Sequence, residues 1–274
     1  LTSTEQQQLL GDWNQTHLDA DLSPTAYVHH RFEAQANQTP DAIALTFISP
    51  TSNQAQSFTY REVDQRANQL AHHLRTLDIQ PGELVGVCLD RSAEMVVALL
   101  AIHKARAAYL PIDPTYPGDR ILYMIQDAGI RTLIQQSTTQ IQNFSSGDAS
   151  RAKCKIQNVI TLDTDQDAIT HHAITPLPKS KIQNLKSKIA YTIYTSGSTG
   201  NPKGVQISHR SLANFLHAMQ DKLQLNEQDT LLAVTTLSFD IAALELFLPL
   251  MVGGQVAIAS REMTRKGEEL AEAL

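Results

Sequence analysis

Ten consecutive residues, Thr195-Ser196-Gly197-Ser198-Thr199-Gly200-Asn201-Pro202-Lys203-Gly204, hold three glycines, four hydroxyl side chains and one lysine. Glycine lets a backbone approach a ligand closely and visit left-handed conformations at little cost. Successive backbone N–H groups in such a turn form a concavity that binds anions. The hydroxyls add donors, and lysine adds a mobile point charge suited to phosphate. Together these residues read as a phosphate-binding loop. It is not the loop of P-loop nucleotidases, which needs glycine directly before the lysine and Ser or Thr directly after it. Here Lys203 lies between Pro202 and Gly204.

The flanks show how such a loop would be held. Ile189 to Tyr194 is β-branched and aromatic and reads as a strand, and Val205 to Ser208 reads as a second one. Strand, loop, strand predicts a hairpin folding over phosphates. Elsewhere strands and helices alternate, which predicts α/β layers: mostly parallel sheets with flanking helices. Strands are expected at 42–48, 84–89, 132–135, 159–162, 231–235 and 256–259. Thr59 and Glu62 make a capping box for a helix with one apolar face, from Val63 to Leu77. Ser92 caps a helix over 93–104 that is apolar nearly all round, so it should be deeply buried. Further helices are expected from Tyr116-Pro117 to Ala128, over 212–223, and over 241–251 despite Pro249. Residues 137–188 are polar and lack apolar periodicity. They contain an echo, 153–158 against 179–184, and read as a solvated connection.

Several of these segments, in order, resemble adenylate-forming enzymes, most closely the adenylation domains of nonribosomal peptide synthetases. They are Phe58-Thr59-Tyr60-Arg61-Glu62, Ala108 to Pro114, Ala190 to Gly204, and Phe239-Asp240 with Glu245. Leu1 to Thr16, with Leu9-Leu10 and Trp13-Asn14, resembles the linker leading in from a condensation domain. The resemblance implies a linker over 1–26 and, over 27–274, the incomplete N-terminal core of an adenylate-forming enzyme. It implies ATP and Mg²⁺ as cofactors and an amino acid as substrate. Carrier-protein and condensation domains would be partners, the carrier presenting a phosphopantetheine thiol. The late catalytic residues of such enzymes cannot be assigned, so the chain alone is expected to be inactive.

A carboxylate is a poor acyl donor until its oxygen is joined to phosphorus, and that transfer depends on positioning and charge neutralisation. Ser196, Ser198, Thr199 and Lys203 suit the β- and γ-phosphates, with Gly197, Gly200 and Gly204 permitting the backbone shape. The resemblance sets Thr195 near the metal, and Mg²⁺ is expected because it bridges phosphate oxygens. Asp240 reads from the sequence as the cap of the helix beginning at Ile241. The resemblance makes it the partner of the substrate's ammonium group. Ile241 and Leu244 are three apart and share a helix side. The resemblance makes them pocket walls, which suggests a small or apolar substrate, with glycine as the guess. Phe239 reads equally as pocket or core. Glu245 orients its helix or pairs locally, and Asp113, between Pro111 and Pro114, reads as a turn residue. His29-His30, His72-His73 and His171-His172 do not read as metal pairs, because adjacent residues point to different sides.

Composition narrows the alternatives. At 274 residues with net charge −6, the chain shows no basic stripe of the kind nucleic-acid binders carry. Its longest apolar run, Met95 to Ile102, is far short of the roughly 20 residues that span a bilayer. Cys88 and Cys154 make neither a disulfide framework nor a metal motif, and Cys88 reads as a buried thiol. A cytoplasmic protein is the simplest expectation. Two departures from the resemblance stand out: Arg106 where glycine is usual, and Lys188 where asparagine is frequent. A fatty- or aryl-acid ligase and a non-catalytic remnant of a synthetase module are the competing readings.

Overall fold

The capping signals in the sequence set the helix starts. In the computed structural model, which describes residues 1–12, 27–49, 55–139, 156–178, 189–196 and 201–265, Thr59 accepts from the Glu62 amide while Glu62 reaches back to the Thr59 amide. This box opens α3 (Tyr60–Thr76), after α1 (Ser3–Leu10) and α2 (Val28–Gln38). Thr2 and Glu5 form a second box that opens α1, none of whose residues is buried. Trp13-Asn14 and the rest of the expected linker lie outside the described residues.

The strands form two sheets. The larger has β3 (Leu84–Cys88), β4 (Ala108–Pro111), β5 (Thr132–Gln135), β6 (Asn158–Thr161), β7 (Ile189–Thr195) and β8 (Lys203–Ser208). Its order is β6-β5-β3-β4-β7-β8, parallel except for the antiparallel edge strand β8. The smaller has β1 (Ile43–Ile48), β2 (Gln56–Thr59), β9 (Thr230–Ala233) and β10 (Gln255–Ala259), in the order β2-β1-β10-β9. Here β2 runs antiparallel to β1, and the other neighbours are parallel. Every residue of β4 and β5 is buried, as expected of parallel strands covered on both faces. The expected mostly parallel α/β layering is what the chain adopts.

Helix α4 (Ala93–Lys104) lies between the sheets, packing on β3 and β4 and on β1. All twelve of its residues are buried except Glu94. That explains its lack of a polar face. The remaining helices are α5 (Gly118–Asp127), α6 (Gln166–Thr170), α7 (His209–Leu223) and α8 (Ile241–Val252). Helix α8 ends at Gly253, which sits at φ 90°, a left-handed position suited to glycine.

One sequence expectation changes, and one departure from the resemblance is accounted for. The connection over 137–188 carries the strand expected at 159–162, seen as the edge strand β6, but it also forms the short helix α6 and so is not merely solvated. It packs on α3 through hydrogen bonds: Asn68 Nδ2 donates to Ile174 O (2.8 Å) and Gln69 Nε2 to Thr170 O (2.7 Å). Polar side chains binding backbone carbonyls leave no apolar periodicity to read. Most of the internal echo, 153–155 and 179–184, lies outside the described residues. The departure at Arg106, where the resemblance has glycine, falls on a left-handed backbone position: its φ is 66°. A non-glycine residue there carries about 1–2 kcal/mol of backbone strain.

Candidate functional site

In parallel sheets ligands gather at the carboxyl ends of the strands, where the order switches direction. In the larger sheet β3 has β4 on one side and β5 on the other, so the crevice opens beyond Cys88 and Pro111. Asp90, Arg91 and Asp113 lie there. The smaller sheet meets this rim. The Arg91 guanidinium donates to the carbonyls of Ala259 (2.7 Å), Thr235 and Ala233, at the ends of β10 and β9. Arg261, just after β10, donates to Asp113 Oδ1 (3.1 Å) and pairs with Asp90 (3.6 Å). Two arginines thus bind the carboxyl edges of both sheets into one rim.

Asp113 also accepts from the Thr115 amide (2.9 Å) and hydroxyl (2.7 Å), the turn role expected of it. Burial alone would raise its carboxyl, but the Thr115 bonds and Arg261 outweigh this and hold it below the ordinary carboxylate range. Beneath it, burial and the charges of Asp113 and Asp90 push the Cys88 thiol up to about 12. It is a free, buried, unreactive cysteine, as expected.

Strand β7 runs parallel to β4, so its carboxyl end reaches the same rim. The predicted hairpin is present. Residues Ile189 to Thr195 pair antiparallel with Lys203 to Ser208, and Thr195 stands opposite Lys203. Paired residues share a sheet face, so a hydroxyl and an ammonium flank the neck of the loop, both exposed. Ser196 is exposed beside them. Gly197, Ser198, Thr199 and Gly200 lie outside the described residues. Gly204 differs from expectation, since it lies within β8, opposite Tyr194, rather than in the turn. A Cβ there would come within 3.2 Å of the Tyr194 ring. Its bare backbone makes room for that ring, whose hydroxyl donates to Asp127 Oδ2 on α5 (2.6 Å). The hairpin is anchored at its neck.

Asp240 closes the other side. Its Oδ1 accepts from the Ile241 amide (2.8 Å), so the capping role is real, and that is its only side-chain hydrogen bond among the described residues. Its charge is felt on β7. Burial first, then the Asp240 carboxylate, raises the Tyr191 phenol to about 12. Phe239 is 60% exposed and takes no part in the core of the described residues. Ile241 is 41% exposed, but Leu244 is packed into the main core. The two share a helix side, yet only Ile241 is at the open rim.

Glu245 does more than orient its own helix. It accepts from the amides of Val234 (2.9 Å) and Thr235 (2.8 Å) and from the Thr235 hydroxyl (2.6 Å). These bonds fix the turn between β9 and Asp240. Glu245→Ala is expected to cost about 1.5–3 kcal/mol, because charge-assisted bonds to the exposed and half-buried donors of that turn are lost. Urea unfolding midpoints measure it, and Glu245→Gln should cost less.

The paired histidines are accounted for separately. His72 Nε2 meets Thr175 O (3.0 Å), and His73 Nδ1 meets His172 Nε2 (3.3 Å). The group of three that could hold a metal among the described residues is instead His29, His103 and His209. Sequence inspection misses it because these residues come from three separate helices.

A phosphate-type hairpin and a carboxylate-capped helix facing one rim, across two tied sheets, define an α/β nucleotide-handling fold. The chain belongs to the AMP-binding enzyme family, whose pattern it matches over residues 32–274. It is 38% identical to the dimodular nonribosomal peptide synthase of Bacillus subtilis (strain 168), over 99% of this chain and 11% of that protein. Among solved structures it is similar to the nonribosomal peptide synthetase FmoA3 in its AMPPNP-bound form. That likeness has a TM-score of 0.70 and 31% identity, over 90% of this chain and 24% of the other. A four-domain nonribosomal peptide synthetase bound to AMP and glycine gives a TM-score of 0.69 and 32% identity, over 90% of this chain and 17% of the other. The chain therefore spans a small part of its relatives and corresponds to the N-terminal portion of their adenylation domains.

Proposed function

We propose that this chain forms part of an enzyme that activates an amino acid for nonribosomal peptide synthesis. The substrate carboxylate oxygen attacks the α-phosphorus of ATP. The bond to the bridging oxygen breaks, pyrophosphate leaves with the electron pair, and an aminoacyl adenylate results. A phosphopantetheine thiol on a carrier domain then takes the acyl group and AMP departs.

The observation that carries this reading is the shared rim. Thr195 and Lys203 flank the hairpin neck on β7 and β8, and the Asp240 charge is near enough to β7 to raise the Tyr191 phenol. Lys203, Ser196, Ser198 and Thr199 bind and orient the β- and γ-phosphates. Mg²⁺, a hard cation that prefers oxygen ligands, neutralises charge on the triphosphate when bound, and the Thr195 hydroxyl is the oxygen this chain offers it. Asp240 pairs with the substrate ammonium, which could not be buried unpaired at acceptable cost. Phe239 and Ile241 border the side-chain pocket.

Isotope exchange between pyrophosphate and ATP tests the reading. The parent protein should catalyse exchange that depends on an amino acid. Residues 1–274 alone should give none, since the enzyme's later catalytic groups would be supplied by other segments. Exchange driven by fatty or aryl acids but not by amino acids would overturn the substrate assignment.

A further inference from the structure

We propose that His29, His103 and His209 form a binding site for a divalent first-row transition metal, of which Zn²⁺ is the best match. One ring nitrogen from each lies within 4.8 Å of the other two, and all three residues are buried. Drawing such nitrogens onto one ion with bonds of about 2.0–2.1 Å needs inward shifts of at most about 0.7 Å each. The rings are already arranged for it. Their centroids stand 6.0, 5.6 and 4.8 Å apart. Three imidazoles on a tetrahedral ion have centroids about 5 Å apart.

The hydrogen bonding has a gap that an ion fills. Nδ1 of His29, of His103 and of His209 is buried without a partner. Buried polar atoms are nearly always satisfied, so three orphans in one cluster call for a common cause. His103 Nε2 meets the Ala190 carbonyl at 3.1 Å, so it must carry the proton and leave the Nδ1 lone pair free. Metal-bound histidines are commonly fixed in this way by a bond at the far nitrogen.

The electrostatics are permissive. Burial, before any other cause, lowers the proton affinity of all three rings, His103 to about 4. The nearby cation Lys104 is already held by Glu33 (2.6 Å) and Asp64 (2.9 Å), which leaves one surplus negative charge in that cluster. Imidazole ligands suit Zn²⁺, Cu²⁺ and Ni²⁺ rather than Mg²⁺ or Ca²⁺. The ion would join the first turn of α2, the last turn of α4 and the first residue of α7. Because α7 follows β8 directly, it would brace the base of the hairpin. This site is separate from the rim and does not depend on its function.

The test uses the full chain, stripped with a chelator and titrated with Co²⁺, then Zn²⁺. One equivalent of Co²⁺ should give the intense visible bands of a tetrahedral site, and Zn²⁺ should abolish them. Zn²⁺ should also raise the unfolding temperature. His103→Leu should remove both effects, while His72→Ala and His171→Ala should keep them. Absence of stoichiometric binding, or equal binding in His103→Leu, would overturn the site. Pulsed electron paramagnetic resonance of the Cu²⁺-loaded unaltered chain decides even if His103→Leu fails to fold. Three coordinated imidazoles support the site, and fewer refute it.

Discussion

Replacing Lys104 with methionine is expected to cost about 3–5 kcal/mol, the usual penalty for stranding buried charge by removing its partner. Lys104 is the last residue of α4, and its side chain is 2% exposed. Its ammonium donates to Glu33 Oε1 (2.6 Å) on α2 and Asp64 Oδ1 (2.9 Å) on α3, so one cation ties three helices. Its place at a helix C-terminus adds a favourable dipole interaction. Methionine fills the stem's volume, so the loss isolates charge rather than packing. The triple variant with Glu33→Gln and Asp64→Asn should recover part of the loss, because neutral groups need no counterion. The pH dependence carries a sign that identifies the cause. Burial raises the Glu33 carboxyl, but the His30 hydrogen bond and Lys104 overcome this and bring it to about 2 from 4.5. A depressed carboxyl contributes stability that is complete above about 4.5 and lost as pH falls toward 2. Without Lys104 burial weighs more, so the variant's deficit should shrink on acidification. Urea midpoints across that window measure both trends. A deficit that stays constant with pH would assign the loss to packing.

Legibility in the sequence follows the range of the interaction. The Thr59–Glu62 box, the Ser92 cap and the β7–β8 hairpin are local, and local spacing predicts them. Arg106 stands out only through the resemblance, which has glycine at that position, and its φ of 66° is the reason. By contrast, Arg91 and Glu245 act on backbone groups of other elements, Ala259 O and the Val234 amide among them. No spacing rule announces a side chain whose partner is a distant carbonyl. The packing of 166–175 on α3 escapes prediction for the same reason, since α3 holds it by polar side chains on main chain. Adjacent histidines draw the eye, while the cluster that forms takes one member from such a pair and two isolated ones. The positions of Lys203 at the exit of the hairpin loop and of Asp240 at the start of α8 are readable, because residue type and local turn coincide there. The roles of Gly204 and Leu244 are not, because both are decided by packing.

Asp240→Asn in the parent enzyme is expected to reduce amino-acid-dependent pyrophosphate exchange by about 30- to 5,000-fold in kcat/KM. That range corresponds to about 2–5 kcal/mol for removing one partner of a buried charge pair. Asparagine is the informative replacement. The Asp240 side chain already caps α8 through Ile241, and an amide oxygen can keep that bond. Stability should therefore change by less than about 1 kcal/mol, whereas Asp240→Ala loses cap and charge together. The exposed rim around Asp240, with Phe239 and Ile241 beside it, becomes desolvated only when substrate covers it, so the charge matters most in the complex. A matched substrate pair makes the result specific. If Asp240 neutralises an ammonium group, the variant should lose its preference for an amino acid over the same acid lacking the amine. If Asp240 serves only as a cap, both acids should be affected alike. Unchanged amino-acid activation in Asp240→Asn, with folding intact, would sink the amine-anchor role and leave Asp240 as a helix cap alone.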